Sequence, residues 1–319
     1  MKITPPLSLA LAMTITLISA PTANAQALPT CAQPGEGAAL LEGECVFITG
    51  GYQRQNLDRN TNGFASDSDQ FSAEIGGQTK IADNWYVSVN AGYADFDAPL
   101  SRSGLERETE SYSLGAAIKY VENDLLLSAS LRATLGDTEQ SGAVEFANTP
   151  GRGTFFSSEE KTYTAVFTLR AATLFDDGNG YYAKPSLDIG AIYRLTNIRR
   201  SITSGGSLKD SDHIFAFVTP AIEVGLDLDY DEFSLRPFVF GGARFLLNED
   251  ETRNINVTFQ NLQPADDELR FERTAATAFL GAGATLFASS GISSRMIYTA
   301  SFQQRLVTHT FSARLQIDF

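Results

Sequence analysis

Histidine and cysteine are nearly absent, with two of each in 319 residues. Metal centres and nucleophile–base pairs draw heavily on both, so few enzyme designs remain open and no cofactor is expected. Positive charge is also short: 24 Lys and Arg against 38 Asp and Glu give a net charge of −14. Nucleic-acid phosphates need a basic surface, so no nucleic-acid partner is expected. Beyond the N-terminus no apolar run reaches about 18 residues, which excludes a transmembrane helix from the mature chain. No phosphate-binding glycine loop appears either. Glycines inside strand-like runs, such as Gly241-Gly242 and Gly281 to Gly283, are expected to serve tight curvature.

What is present begins at the C-terminus. From Phe311 the residues alternate strictly, with Phe311, Ala313, Leu315, Ile317 and Phe319 on one side and Ser312, Arg314, Gln316 and Asp318 on the other. Strand side chains point to opposite faces with period two, so this strand has one apolar and one polar face. A terminal amphipathic strand ending on an aromatic resembles outer-membrane β-barrels, whose last strand is read by the barrel-assembly machinery. On that reading Phe319 is an assembly signal, lipid and lipopolysaccharide meet the apolar face, and the polar face lines a lumen.

The N-terminus carries a secretory pattern: Lys2, an apolar stretch from Leu7 to Ala20, and the small-x-small site Ala23-Asn24-Ala25. Residues 1–25 are therefore expected to be a signal peptide cleaved near Ala25, residues 26–44 a short periplasmic segment, and residues 45–319 one barrel domain in a Gram-negative outer membrane. Cys31 and Cys45 follow the cleavage site, and in an oxidising compartment a close even pair reads as a disulfide. Such a bridge puts Cys31 beside Cys45 at the periplasmic mouth, where residues 36–44 would form a tethered lid. Even fully helical, that stretch would rise only about 14 Å, too little to thread the lumen.

From Cys45 onward, twelve strand-like runs are predicted over residues 46–55, 69–80, 85–97, 109–121, 125–137, 161–175, 181–197, 213–229, 233–248, 273–288, 292–304 and 308–319. Tight connections of Asp, Asn, Gly and Ser (IADN, END, DDGNG, YDE, SSG) alternate with long polar ones. Those residue types adopt left-handed backbone or hydrogen-bond to their own backbone, as short hairpins require. This rhythm predicts an all-β, up-and-down antiparallel transmembrane barrel with short periplasmic turns. Charges segregate to one face: Glu74, Arg132, Arg170, Asp188, Arg194, Glu223, Asp227, Arg236, Arg244, Arg295 and Arg314 are expected in the lumen as ion pairs. An Arg at mid-depth on the lipid face would cost roughly 2–4 kcal/mol.

The segment from Phe71 to Leu131 resembles the autotransporter β-domain. It carries Gly76-Gly77 before a polar turn, Asp83-Asn84-Trp85, Ala91-Gly92-Tyr93 and Ser111-Tyr112-Ser113-Leu114-Gly115, and the closing LQIDF suits the same family. The resemblance implies a translocator barrel. It usually also implies a long passenger and a helix through the pore. Here fewer than about twenty residues separate the cleavage site from the first strand, and Pro34, Gly35, Gly37 and Gly43 weaken a helix there. The expectation is a structural or pore-forming barrel without a secreted passenger, the alternative being a diffusion porin or specific channel.

Two other readings are weaker. A barrel hydrolase would use His213 or His309, with Asp210 and Asp212 flanking the first; loop-end polar residues explain both, and no catalytic residue is expected. The first long loop places Asp58, Asn60, Asn62, Gly63, Ser66 and Asp69 at calcium-loop spacing without flanking helices, a pattern that Asn-rich hairpin loops also produce. No metal ligand set is therefore expected, and the sequence leaves oligomeric state open.

Overall fold

A computed structural model describes residue 31 and residues 43–57, 66–100, 105–145, 153–203, 206–207, 211–248, 252–257, 265–270, 276–288, 290–303 and 306–319. Twelve long strands dominate: β1 (Cys45–Leu57), β2 (Ser66–Ala82), β3 (Trp85–Leu100), β4 (Leu105–Glu122), β5 (Leu125–Glu145) and β6 (Gly153–Thr173). The rest are β7 (Tyr181–Thr203), β8 (Ser211–Leu226), β9 (Phe233–Leu246), β10 (Ala276–Ala288), β11 (Ile292–Gln303) and β12 (Leu306–Asp318). Each pairs antiparallel with its neighbour in the chain, and β12 returns to β1 from Cys45↔Asp318 to Leu57↔Leu306. The sheet is a closed twelve-stranded barrel. No helix occurs among the described residues.

Closure leaves two faces. The outer one carries Ile48, Phe71, Ile75, Leu114, Leu131 and Leu315 among many exposed large apolar residues, a continuous surface that water would not tolerate. Aromatic pairs flank it. Near the long loops Tyr52 meets Phe71 at 5.1 Å and Tyr93 meets Tyr112 at 5.3 Å; near the short turns Trp85 meets Tyr120 at 5.0 Å and Tyr230 stacks on Phe233 at 4.7 Å. Tyr112 and Tyr120 lie eight positions apart on β4. That is about 27 Å of strand, or roughly 21 Å along the barrel axis at a tilt near 40°. The height suits the ~25 Å apolar band of an outer-membrane barrel.

The short turns are built as their residues dictate. Asn84 and Asn123 adopt left-handed backbone with φ of 66° and 51°, and Gly291 does so at 75°. In DDGNG, the Asp176 carboxylate accepts the Gly178 N–H at 2.7 Å, and Asp177 accepts those of Asn179 and Tyr181 at 2.8 and 3.1 Å. These donors hold the Asp177 carboxyl below its ordinary pKa.

The strands run farther than the apolar pattern predicts. β5 reaches Glu145 and β6 starts at Gly153, where residues 138–160 read as a loop. β7 continues to Thr203, and the connection predicted over 249–272 contains Thr252–Val257 and Ala265–Arg270. These two, with Gly206–Ser207, form a separate three-stranded sheet. Beyond the membrane band the ladder needs no apolar face, so hydrophobic alternation stops before the hydrogen bonding does.

Candidate functional site

The inner face is where this chain concentrates charge. Inward positions are set by strand parity. Glu74 on β2 faces Arg132 on β5 at 2.7 Å. The Arg170 guanidinium on β6 donates two bonds to the Asp188 carboxylate on β7, at 2.6 and 2.7 Å, the fork geometry that arginine suits best. On β8, Glu223 sits between Lys184 at 2.9 Å and Arg295 at 3.7 Å, and it accepts the Tyr182 hydroxyl at 3.1 Å. Arg236 on β9 pairs with Asp227 just past β8, and both are deeply buried.

Of the residues that the sequence assigns to the lumen, the structure thus groups Glu74 with Arg132, Arg170 with Asp188, Asp227 with Arg236, and Glu223 with Arg295. Arg244 and Arg314 donate to the hydroxyls of Thr219 and Thr49 at 3.3 and 3.1 Å. Arg194 is buried inside at the long-loop end. Lys184 and Lys119 went unnoticed in the sequence. Strand parity would have found both: Lys184 shares its face with Asp188 and Arg194, and Lys119 with Ser111.

Beneath the charges lies a layer of rings over glycines. Phe47 lies over Gly76 and Phe217 over Gly190; Tyr182 covers Gly225, and three successive β9–β10 positions pair Phe238 with Gly283, Phe240 with Gly281 and Gly242 with Phe279. A Cβ on any of these glycines would strike the ring. The glycines make room for aromatic side chains rather than for curvature alone, which corrects the sequence reading. The rings in turn seat guanidinium groups. Arg314 lies 4.8 Å from the Phe47 centroid, Arg295 4.7 Å from Phe238, Arg244 5.0 Å from Phe217 and Arg236 5.2 Å from Phe287. At such distances the ring quadrupole attracts a cation.

The lining is not polar throughout. Val121, Leu126, Leu174 and Phe238 are buried at the short-turn end, with Tyr86, Phe240 and Ile297 packed against them. Cys31 and Cys45 are bridged at this end, with Cα atoms 5.8 Å apart, and both are buried beside Phe47. Gly43 N–H donates to the Cys31 carbonyl at 2.8 Å, Gln78 donates to the Gly43 carbonyl at 2.9 Å, and Lys119 donates to Gln78 at 2.5 Å. Glu44 accepts from Thr79 and from the Lys80 N–H, which lowers its pKa. Residues 36–42 of the expected lid lie outside the described residues.

The histidines do not converge. His213 shares the inward face of β8 with Phe215, 6.0 Å away ring to ring. His309 is on the outer face, where its Nδ1 and the Tyr298 hydroxyl share a hydrogen bond at 2.8 Å. Of the calcium-type loop, Asp58, Asn60, Asn62 and Gly63 lie outside the described residues, as does Asp210. Asp69 accepts the Tyr52 hydroxyl at 2.6 Å. Among the described residues no group of three or more His, Cys, Asp or Glu is placed to hold a metal.

The autotransporter β-domain profile matches residues 46–294. The chain belongs to the autotransporter β-domain family. Its barrel is similar to the translocator domain of the autotransporter NalP from Neisseria meningitidis, at 12% identity and a TM-score of 0.64, over 88% of this chain and 90% of that one. The β-domain of the Bordetella autotransporter BrkA superposes with a TM-score of 0.62 at 14% identity, over 87% and 100%. The transport unit of AIDA-I from Escherichia coli gives 0.51 at 13%, over 99% of both. Among curated proteins none matches in sequence. This autotransporter β-domain is an integral outer-membrane barrel.

Proposed function

We propose that this β-domain forms a narrow, ion-lined pore, and that residues 26–44, between the Ala25 cleavage site and β1, are a short periplasmic segment rather than a secreted passenger. One observation carries the reading: ion pairs with partly exposed cations line the inside of a fully closed barrel. A barrel that served only as an anchor could fill its interior with apolar side chains at lower cost, because burying charges is expensive unless they are well paired. Full-length protein reconstituted into planar bilayers should show discrete channels of small conductance, narrowed by the apolar belt around Phe238. If heat-modifiable, folded protein leaves the bilayer silent, the pore reading fails and a structural role remains.

The same reading assigns Phe319 to assembly through the barrel-assembly machinery. β12 pairs along its length with both β11 and β1. Its last peptide is tied by the Phe319 N–H to the Glu44 carbonyl at 3.2 Å, while the Phe319 ring is exposed. The ring therefore adds little to packing and is available to a partner. Deleting Phe319 should cut the amount of folded barrel in the outer membrane several-fold while leaving refolding into lipid vesicles in vitro nearly unchanged. Equal loss in both assays would mean that Phe319 acts in stability rather than recognition.

A further inference from the structure

Charge is sorted between the two faces of the wall, and the sorting has a direction. In each of the lumen pairs described above the cation is the more exposed partner. Arg170 keeps 28% of its side-chain surface against 5% for Asp188, and Arg132 keeps 26% against 16% for Glu74. Lys184 and Arg295 are likewise more open than the Glu223 they share, and Arg236 than Asp227. On the outer face the order reverses. In Lys161–Asp137 the exposures are 19% and 57%, and Asp67 is more open than Arg54. Acids in the lumen lie back against the wall, and acids outside project into solvent.

The inventory of inward residues agrees. Besides the pairs, Arg107, Lys119, Arg194, Arg244 and Arg314 belong to the inner face, joined among the described acids by Glu160 and, at the rim, Asp318. The negative charge sits elsewhere. Asp95, Asp97, Glu108, Glu110, Asp137 and Glu139 are all exposed on the outer face of the long-loop ends, opposite one another across β3, β4 and β5. A chain of net charge −14 thus encloses a cationic path.

We infer that the lumen is an anion path, selective for small hydrated anions such as chloride, phosphate and short carboxylates. The inference rests on the pore reading and adds the sign of the ion carried. Water remaining in the bore faces Arg132, Arg170, Lys184 and Arg295, whose acidic partners partly neutralise them from behind. A low-dielectric cleft lined by one sign of charge concentrates counter-ions by roughly tenfold or more. Protein pores set selectivity with such charged linings, arginine and lysine favouring anions.

The test is a zero-current potential. Full-length protein in a planar bilayer, with about 0.1 M KCl facing about 0.01 M, should prefer chloride over potassium by about tenfold. Near 1 M salt the screening length falls to about 3 Å and the preference should shrink several-fold. Arg132→Gln should lower the low-salt ratio several-fold, and so should Arg295→Gln, in which Glu223 keeps Lys184 and Tyr182 as partners. Arg295→Lys should retain the ratio, and Lys161→Gln on the outer face should not move it. A potassium preference in the parent protein overturns the inference and leaves the pore reading standing, as does a ratio indifferent to both Gln variants. Absence of any channel removes both readings together. If the Gln variants do not fold, the sign measured on the parent still decides.

Discussion

Gly283→Ala should destabilise the barrel by about 3 kcal/mol, the upper end of what overpacking costs. An added Cβ would stand 2.5 Å from the Phe238 ring and 2.6 Å from the Met296 carbonyl oxygen. The ring could turn aside, but only by leaving Arg295, whose guanidinium rests on it. The carbonyl belongs to the β10–β11 ladder and cannot move without breaking register. The control is Gly50→Ala, on the outer face with nothing within 4 Å of an added Cβ. It should be neutral or stabilising by about 0.5 kcal/mol, since alanine loses less backbone entropy on folding. Urea titration of barrels refolded into vesicles, read by heat modifiability, gives both values. Combining Gly283→Ala with Phe238→Leu should remove the ring clash and leave the carbonyl clash. Equal stability of Gly283→Ala and Gly50→Ala would mean that the ring-over-glycine pairing carries no energetic weight.

Alternation made the barrel legible. β5 shows why: Leu127, Leu131 and Leu135 face out while Ser128, Arg132 and Thr134 face in, so one strand states both environments. Turn chemistry supplied the connections, because Asn84, Asn123 and Gly291 adopt the left-handed backbone that their residue types tolerate. Strand ends were not legible beyond the membrane. Past Leu135 the outward residues become Asp137 and Glu139, and polar residues on both faces look like a loop. The ladder nevertheless continues, with Asp137↔Lys161 and Glu139↔Glu159 in register. Hydrophobic periodicity reports the membrane, and hydrogen bonding has no such limit.

The lumen was legible in kind rather than in detail. Parity placed the charged residues on one face, but pairing depends on the shear of the barrel, which no single strand reveals. Glu74 and Arg132 lie three strands apart and meet only because the sheet is staggered and closed. Lys184 was lost among Tyr181, Tyr182 and Pro185 near a turn, although its even number matches Asp188. The ring-over-glycine pairs were invisible for a similar reason: Phe238 and Gly283 are 45 positions apart, and each alone is an ordinary strand residue. Arginine stacking follows from those pairs and could not have been read before them.

The buried pair Arg236–Asp227 should show the largest single loss. Both side chains are almost fully enclosed, and the guanidinium lies over Phe287 at 5.2 Å and near Tyr182 at 6.0 Å. Removing one member of such a pair strands the other charge out of water. Asp227→Ala or Arg236→Leu should therefore each cost about 3–5 kcal/mol in the same vesicle assay. The pair itself contributes far less than that, because its attraction is offset by the desolvation of both ions. Arg236→Met combined with Asp227→Leu should come within about 1 kcal/mol of the parent, as replacing both ions with apolar side chains of similar volume often does. The exposed pair Lys80–Asp83, at 3.6 Å, provides the contrast. Water solvates whichever ion is left, so Asp83→Ala should cost no more than about 1 kcal/mol. If Asp227→Ala costs no more than Asp83→Ala, water reaches Arg236. The short-turn end of the lumen would then be wetter than the packing of Tyr182, Phe238 and Phe287 indicates.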